Sequence, residues 1–414
     1  MTTKPVLIVG AGLAGLACGL ALEAKGVPFR ILEASDGPGG RVRTDEMDGF
    51  LLDRGFQVYL TAYPEGKRVL DYDAFKFGRF ASGALVRFNG KFHRVMDPWR
   101  EPFSALSSIL NPVGSMKDKL LVARLRASAM AGTPEQLLLR PEKTSLQALI
   151  EFGFSTNMID RFFKPFFGGI MFDAQLRVSS RMLEYVFRMM ASGDTVLPAA
   201  GMGAIPAQIA AKLPVSSIQY GMRVSTVSER GVVLEDGTAL EGRAVVVATE
   251  GPEAVRLLPR LARVQSRKAI TLYFAIEGAS PVQDPMVVLN GNLEWPIQNC
   301  CVPSVVCPSY APEGMHLMSV TVLGDSQQED ANLVALVRGQ LTRWYGLEAK
   351  RWKFLRLYRL QHAHPISTPP TVAEQPLQLE NGVFICGDHR FFPSIQAALE
   401  NGRHAGEAVA EHVN

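Results

Sequence analysis

The sequence predicts an α/β fold, in which a Rossmann-like dinucleotide-binding domain is assembled from three separated pieces around an inserted α+β domain. Three observations carry this expectation. A GxGxxG motif lies between two short apolar runs near the start of the chain. Strand character with turn signals returns over residues 221–249. A last apolar run followed by a helical stretch closes the chain. The nucleotide-binding pieces are expected at residues 1–85, 207–265 and 375–414, and the inserted domain at 86–206 and 266–374.

Taken in order, Val6-Leu7-Ile8-Val9 is a continuous apolar run, as a strand covered on both faces requires. Leu13 to Lys25 reads as a helix of small residues ended by Gly26, and Phe29 to Glu33 as a second strand. The three make a βαβ unit with a right-handed crossover. Residues 86–205 carry helical stretches broken by Pro and Gly, with Leu120 to Met130 and Leu183 to Met190 as examples. Val224 to Ser228 and Val232 to Glu235 read as strands, and Asp236-Gly237 is a turn signal. Ala244 to Thr249 is another buried strand. Residues 270–276 and 316–323 read as strands and Asp330 to Tyr345 as a helix. Val383 to Cys386 is the last strand, and a helix follows from about Ser394 to His412.

Bulk properties exclude several classes. A chain of 414 residues with a net charge of +3 has no electrostatic footprint for nucleic acid. Cys18, Cys300, Cys301, Cys307 and Cys386 form no CxxC pair and fit no common zinc spacing, so no metal site is expected. Cysteine usage fits a reducing, cytoplasmic compartment. No run approaches the length of a membrane span, and no signal peptide is visible. Lys117 to Arg126 mixes basic and apolar residues and reads first as a solvated amphipathic helix. Peripheral contact with a membrane is the alternative.

The chemistry gathers in three places. In Gly10-Ala11-Gly12-Leu13-Ala14-Gly15, Gly10 permits the tight turn, Gly12 lets backbone approach a pyrophosphate, and Gly15 lets the helix pack on the sheet. Glu33, at the end of the second strand, can accept hydrogen bonds from a ribose diol. Gly39 and Gly40 then precede Arg41 and Arg43, which can offer charge-assisted bonds to phosphate. At the other end, Gly387 and Asp388 follow the last strand, where an acidic side chain faces a ligand crevice. Ser394 can cap the terminal helix, whose first N–H groups, from Ile395 through Gln396 to Ala397, would face the ligand.

These motifs, with Asp53-Arg54-Gly55-Phe56 and Pro393 to Ala398, resemble the flavin amine oxidase superfamily over essentially the whole chain. Phe163-Lys164-Pro165-Phe166-Phe167-Gly168-Gly169 and Leu197 to Pro206 are similar to its protoporphyrinogen oxidase and phytoene desaturase branch. The resemblance implies an FAD-binding domain joined to a substrate-binding domain. It places Glu33 on the adenosine ribose, Arg41 near the pyrophosphate, Val224 at the adenine, and Asp388 on the ribityl chain or pyrophosphate. Ala34, Gly55 and Phe56 join these as expected cofactor contacts. The Ser-Gly-Gly-Cys stretch that attaches flavin in monoamine oxidases is absent, so the FAD is expected to be non-covalent.

The implied activity is hydride transfer to flavin N5 from an apolar substrate, polyene-like or cyclic, by a dehydrogenase, desaturase or isomerase. An amine oxidase is the second reading and a non-catalytic flavin-binding scaffold the third. Gly201-Met202-Gly203 is not expected to follow a strand and so makes no second nucleotide site. The electron acceptor is then oxygen, a quinone or another carrier. Arg161 to Phe172 either lines an apolar pocket or packs the core. No side chain stands out as an acid or base, His362 and His364 are as readily structural as catalytic, and no pattern sets an oligomeric state.

Overall fold

Five strands pair in parallel in the order Ile218–Gln219, Phe29–Leu32, Val6–Val9, Val245–Val247, Phe384–Ile385. Val6 to Ile8 and Val245 to Val247 are fully buried, which accounts for their unbroken apolar character. The chain leaves Val6–Val9 toward one side of this sheet and later returns to its other side. The carboxyl end of that strand is therefore a topological switch point, where open α/β sheets hold their ligands. The computed structural model describes residues 4–101, 111–371 and 375–414.

A second sheet has seven strands, in the order Lys353–Pro365, Ser266–Glu277, Met315–Leu323, Asn299–Cys301, Val287–Asn290, Gly83–Phe88, Lys91–Met96. All its pairings are antiparallel except that of Val287–Asn290 with Gly83–Phe88. The period of two divides its side chains cleanly. Ile270, Leu272, Phe274, Val320 and Val322 pack against Leu333, Val337, Leu341 and Trp344 of the helix Asp330–Tyr345. Thr271, Asn299 and Thr321 point the other way, into a cavity.

Two readings of the middle of the chain need correction. The hairpin Gly83–Phe88 and Lys91–Met96 stands where helical character was expected to begin, and the expected boundary at 85/86 falls inside its first strand. That hairpin belongs to the seven-stranded sheet, so its alternation served an edge rather than a helix. The strand Lys353–Pro365 has no counterpart in the expected elements; its half-exposed, charge-bearing pattern hides the period of two. The expected boundary at 374 lies outside the described residues.

The helices Met116–Met130 and Ser180–Ser192 extend the stretches expected as Leu120 to Met130 and Leu183 to Met190. The first buries Leu125 and Ala129 and exposes Met116 and Leu120. Among the described residues no helix is long and apolar enough to cross a membrane. All five cysteines are buried and unbridged.

Candidate active site

A cavity of about 770 Å³ opens at the switch point and continues under the seven-stranded sheet. Its first wall is the turn after Val6–Val9. Gly10 has φ +105°, and a side chain there would meet the Ala248 carbonyl at 3.0 Å. A Cβ on Gly15 would stand 1.9 Å from the Gly10 carbonyl oxygen, so the helix Leu13–Ala24 rests directly on the end of the strand. That helix has Gly12 as its N-cap and no side-chain cap, and the space over Gly12 is open. Its first N–H groups and positive dipole end thus suit an anion.

Glu33 is held beside this turn. Its Oε2 accepts the Ala11 N–H at 2.7 Å, and its Oε1 accepts the Ser35 N–H at 2.8 Å and the Ser35 hydroxyl at 2.7 Å. A carboxylate has about four acceptor positions, so one stays open to a ligand donor. The second glycine pair runs alongside, with the Gly39 N–H donating to the Ala11 carbonyl at 2.8 Å.

Arg41 and Asp388 meet across the cavity at 2.6 Å. Burial pushes the Asp388 carboxyl up, but the Arg41 guanidinium outweighs it and holds the carboxyl below its ordinary value. His364 lines the same region. Burial pushes its imidazole down to about 4, leaving it neutral near pH 7. At the start of the helix Ile395–Val413, the Ser394 hydroxyl accepts the Ala397 N–H at 2.9 Å. Ile395 and Gln396 hold the first two helical positions, whose N–H groups have no intrahelical acceptor.

Of the residues singled out from sequence, Gly10, Gly12, Leu13, Ala14, Glu33, Ala34, Gly40, Arg41, Phe56, Val224, Gly387, Asp388 and Ile395 line this one cavity. The rest stand behind it. Ala11 braces Glu33, and Gly15 seats the helix. Gly55 has φ +100° and abuts Leu360, and Ala397 is spent on the cap. The Gln396 side chain accepts the Glu65 N–H at 2.9 Å. The Val224 carbonyl accepts from the Arg256 guanidinium at 2.6 Å.

Gly201-Met202-Gly203 does follow a strand, Thr195–Leu197, contrary to expectation. The strand is antiparallel to its neighbours, and the glycines close on protein. The Gly203 N–H donates to the Thr44 hydroxyl at 2.8 Å, and the Met202 N–H to Asp53 Oδ1 at 2.9 Å. Asp53 also accepts the Thr44 hydroxyl at 2.5 Å and the Tyr310 hydroxyl at 2.9 Å. Burial nonetheless pushes its carboxyl up to about 6. The folded chain therefore holds a proton there that the unfolded chain releases near pH 4, so wild-type stability falls as pH rises from about 4 to about 6. Asp53→Asn keeps the shape and lets an amide N–H face Tyr310. Urea unfolding across that window should show the variant gaining on wild type by about 2–3 kcal/mol. A difference that does not change with pH would place the Asp53 carboxyl in its ordinary range.

Beyond the glycine turn at residues 10–15 the cavity becomes aromatic. Phe162, Phe163, Phe166, Phe167 and Phe172 line it, while Phe163 and Phe167 are also fully buried, so Arg161 to Phe172 serves pocket and core at once. A turn of π-helix, Ile159–Phe163, leads into the helix Lys164–Ile170. Such wide turns recur at functional sites. Phe162 and Phe166 stack at 5.3 Å, and Phe163 and Phe167 at 6.0 Å. Sequence reasoning missed Thr271, Thr321 and Asn299 in this wall. Thr271 and Thr321 are single polar residues inside apolar strand runs, but nothing in one strand's pattern says that they and Asn299 meet.

The family described as Flavin containing amine oxidoreductase matches residues 13–410. Phytoene desaturase (lycopene-forming) of Pantoea ananas is 46% identical over 52 residues, 13% of this chain and 11% of the relative. Phytoene dehydrogenase of Streptomyces griseus is 29% identical over 301 residues, 62% of this chain and 56% of the relative. The chain thus spans little more than half of even that relative's length. A solved structure described as a protoporphyrinogen oxidase from Exiguobacterium sp. 255-15 superposes with a TM-score of 0.74 at 17% identity, covering 100% of both chains. That likeness is one of fold.

Proposed function

Because the chain belongs to the flavin containing amine oxidoreductase family, an FAD-dependent group of oxidoreductases, we propose that it dehydrogenates, desaturates or isomerises an apolar, polyene-like or cyclic substrate. The observation that carries this reading is the phenylalanine wall, which continues from the nucleotide turn without a break in the cavity. Such a surface binds hydrocarbon by burial and excludes water from the reacting atoms. Bound FAD supplies a two-electron acceptor at its N5. The protein supplies the rest. The uncapped helix at Gly12 and Arg41 would hold the pyrophosphate, and Glu33 the ribose. Asp388 would orient Arg41 and the ribityl chain.

Amine oxidation fits less well. An amine slot between two rings needs a gap, whereas the near-parallel rings here lie stacked on one another at 5.3 and 6.0 Å. The electron acceptor is proposed to be oxygen or a quinone. Any membrane contact would use the exposed Met116 and Leu120.

Anaerobic mixing with panels of polyenes, cyclic isoprenoids and amines tests the proposal. Loss of the yellow flavin absorbance with a polyene or cyclic compound is the expected result. Bleaching by amines alone would overturn it. A photoreduced flavin that neither oxygen nor a quinone reoxidises, in a protein no panel member bleaches, would establish a scaffold instead.

A further inference from the structure

We infer that Asn299, Thr321 and Thr271 form a polar subsite that takes a hydroxyl group on an otherwise apolar substrate. The inference rests on the apolar-substrate reading and refines it. The three residues stand at one level on three adjacent strands. Asn299 is in register with Thr321, and Thr321 with Thr271. All three line the cavity and are 6%, 5% and 1% exposed.

Two atoms in this row point to a ligand. Asn299 Oδ1 is buried and has no hydrogen-bond partner. A buried acceptor left unpaired is costly, so its retention inside an aromatic cavity calls for a donor that arrives with a ligand. Thr321 stands on the strand directly beside Asn299 and lines the same cavity, so its hydroxyl hydrogen can donate to the same guest group, with Thr271 flanking it on the far side. An acceptor and a donor on adjacent strands match a hydroxyl, which both gives and takes a hydrogen bond. A hydrocarbon satisfies neither atom, and an ether satisfies only the threonine.

The surroundings are shaped around the amide. A Cβ on Gly169 would stand 2.1 Å from Asn299 Nδ2, so only glycine in the aromatic segment clears that side chain. The opposite face of the same strands carries Ile270, Leu272, Val320 and Val322. The polar row is therefore confined to the cavity side.

The test is calorimetric titration of the FAD-loaded protein with farnesol, farnesyl methyl ether and farnesene. These probes share one chain and differ in what they can donate. Farnesol should bind roughly ten-fold more tightly than the ether or the hydrocarbon, as one good hydrogen bond to a buried group provides. Asn299→Leu, of similar volume, should erase that preference, raise affinity for farnesene, and leave FAD content unchanged. Should that variant not fold, Thr321→Val on the neighbouring strand should narrow the preference to within about three-fold. Equal binding of all three probes by wild type overturns the subsite, as does a preference that survives Asn299→Leu. Loss of FAD from a folded variant overturns it too, because the amide would then belong to the cofactor. If none of the probes binds while a polyene hydrocarbon bleaches the flavin, the hydroxyl subsite falls and the apolar-substrate reading stands.

Discussion

Glu33→Ala is expected to weaken FAD binding by roughly ten- to over a hundred-fold, the equivalent of about 1.5–3 kcal/mol for hydrogen bonds to a charged group. Glu33 also accepts the Ala11 and Ser35 N–H groups, so the variant should lose stability without FAD as well. Affinity alone would not separate ribose recognition from bracing of the loop. A comparison with an FAD analogue lacking the adenosine 2′-hydroxyl does. Wild type should prefer FAD over the analogue, and Glu33→Ala should bind both alike. The logic is that of a double-mutant cycle with one change made in the ligand. A variant that keeps the full preference would show that the carboxylate only supports the glycine turn.

The parts of the fold that were legible in the sequence are those whose local pattern has a single physical cause. Val6–Val9 and Val245–Val247 read correctly because strands covered on both faces must be apolar throughout. Asp330–Tyr345 read correctly because one stripe of it, Leu333, Val337, Leu341 and Trp344, packs on a sheet. Gly10, Gly12 and Glu33 stood out from the glycine motif and the strand after it, Arg41 from the second glycine pair, and Asp388 from the end of the last strand, and all five line one cavity. The strand Lys353–Pro365 was illegible because it sits at the edge of its sheet and carries charge on much of its length. Asn299, Thr321 and Thr271 were illegible for a different reason. They are brought together by cross-strand register between segments far apart in the chain, and periodicity within one strand carries no register.

Gly402→Leu is expected to destabilise the protein by more than about 3 kcal/mol, beyond ordinary overpacking, and to lower FAD affinity with it. On an isolated helix the same change should stabilise by roughly 0.5–1 kcal/mol, because glycine is a poor helix former. The sign reverses here because the helix Ile395–Val413 lies against the helix Leu13–Ala24 at backbone distance. A Cβ on Gly402 would stand 2.2 Å from the Ala14 carbonyl oxygen, and one on Gly406 would stand 2.6 Å from that of Cys18. Backbone atoms cannot rotate aside as a side chain can, so the helices must separate. Ala14 belongs to the first turn of the helix whose start lines the cavity, so separation also disturbs the turn proposed to hold the pyrophosphate. Gly339→Leu supplies the control. It lies within Asp330–Tyr345, and the nearest atom to its Cβ would be the tip of Arg343 at 4.0 Å. That variant should be as stable as wild type or slightly more so, with unchanged FAD binding. Thermal unfolding and FAD titration of both variants decide the matter. If Gly402→Leu proved as benign as Gly339→Leu, the close helix contact would have no part in holding the cofactor turn.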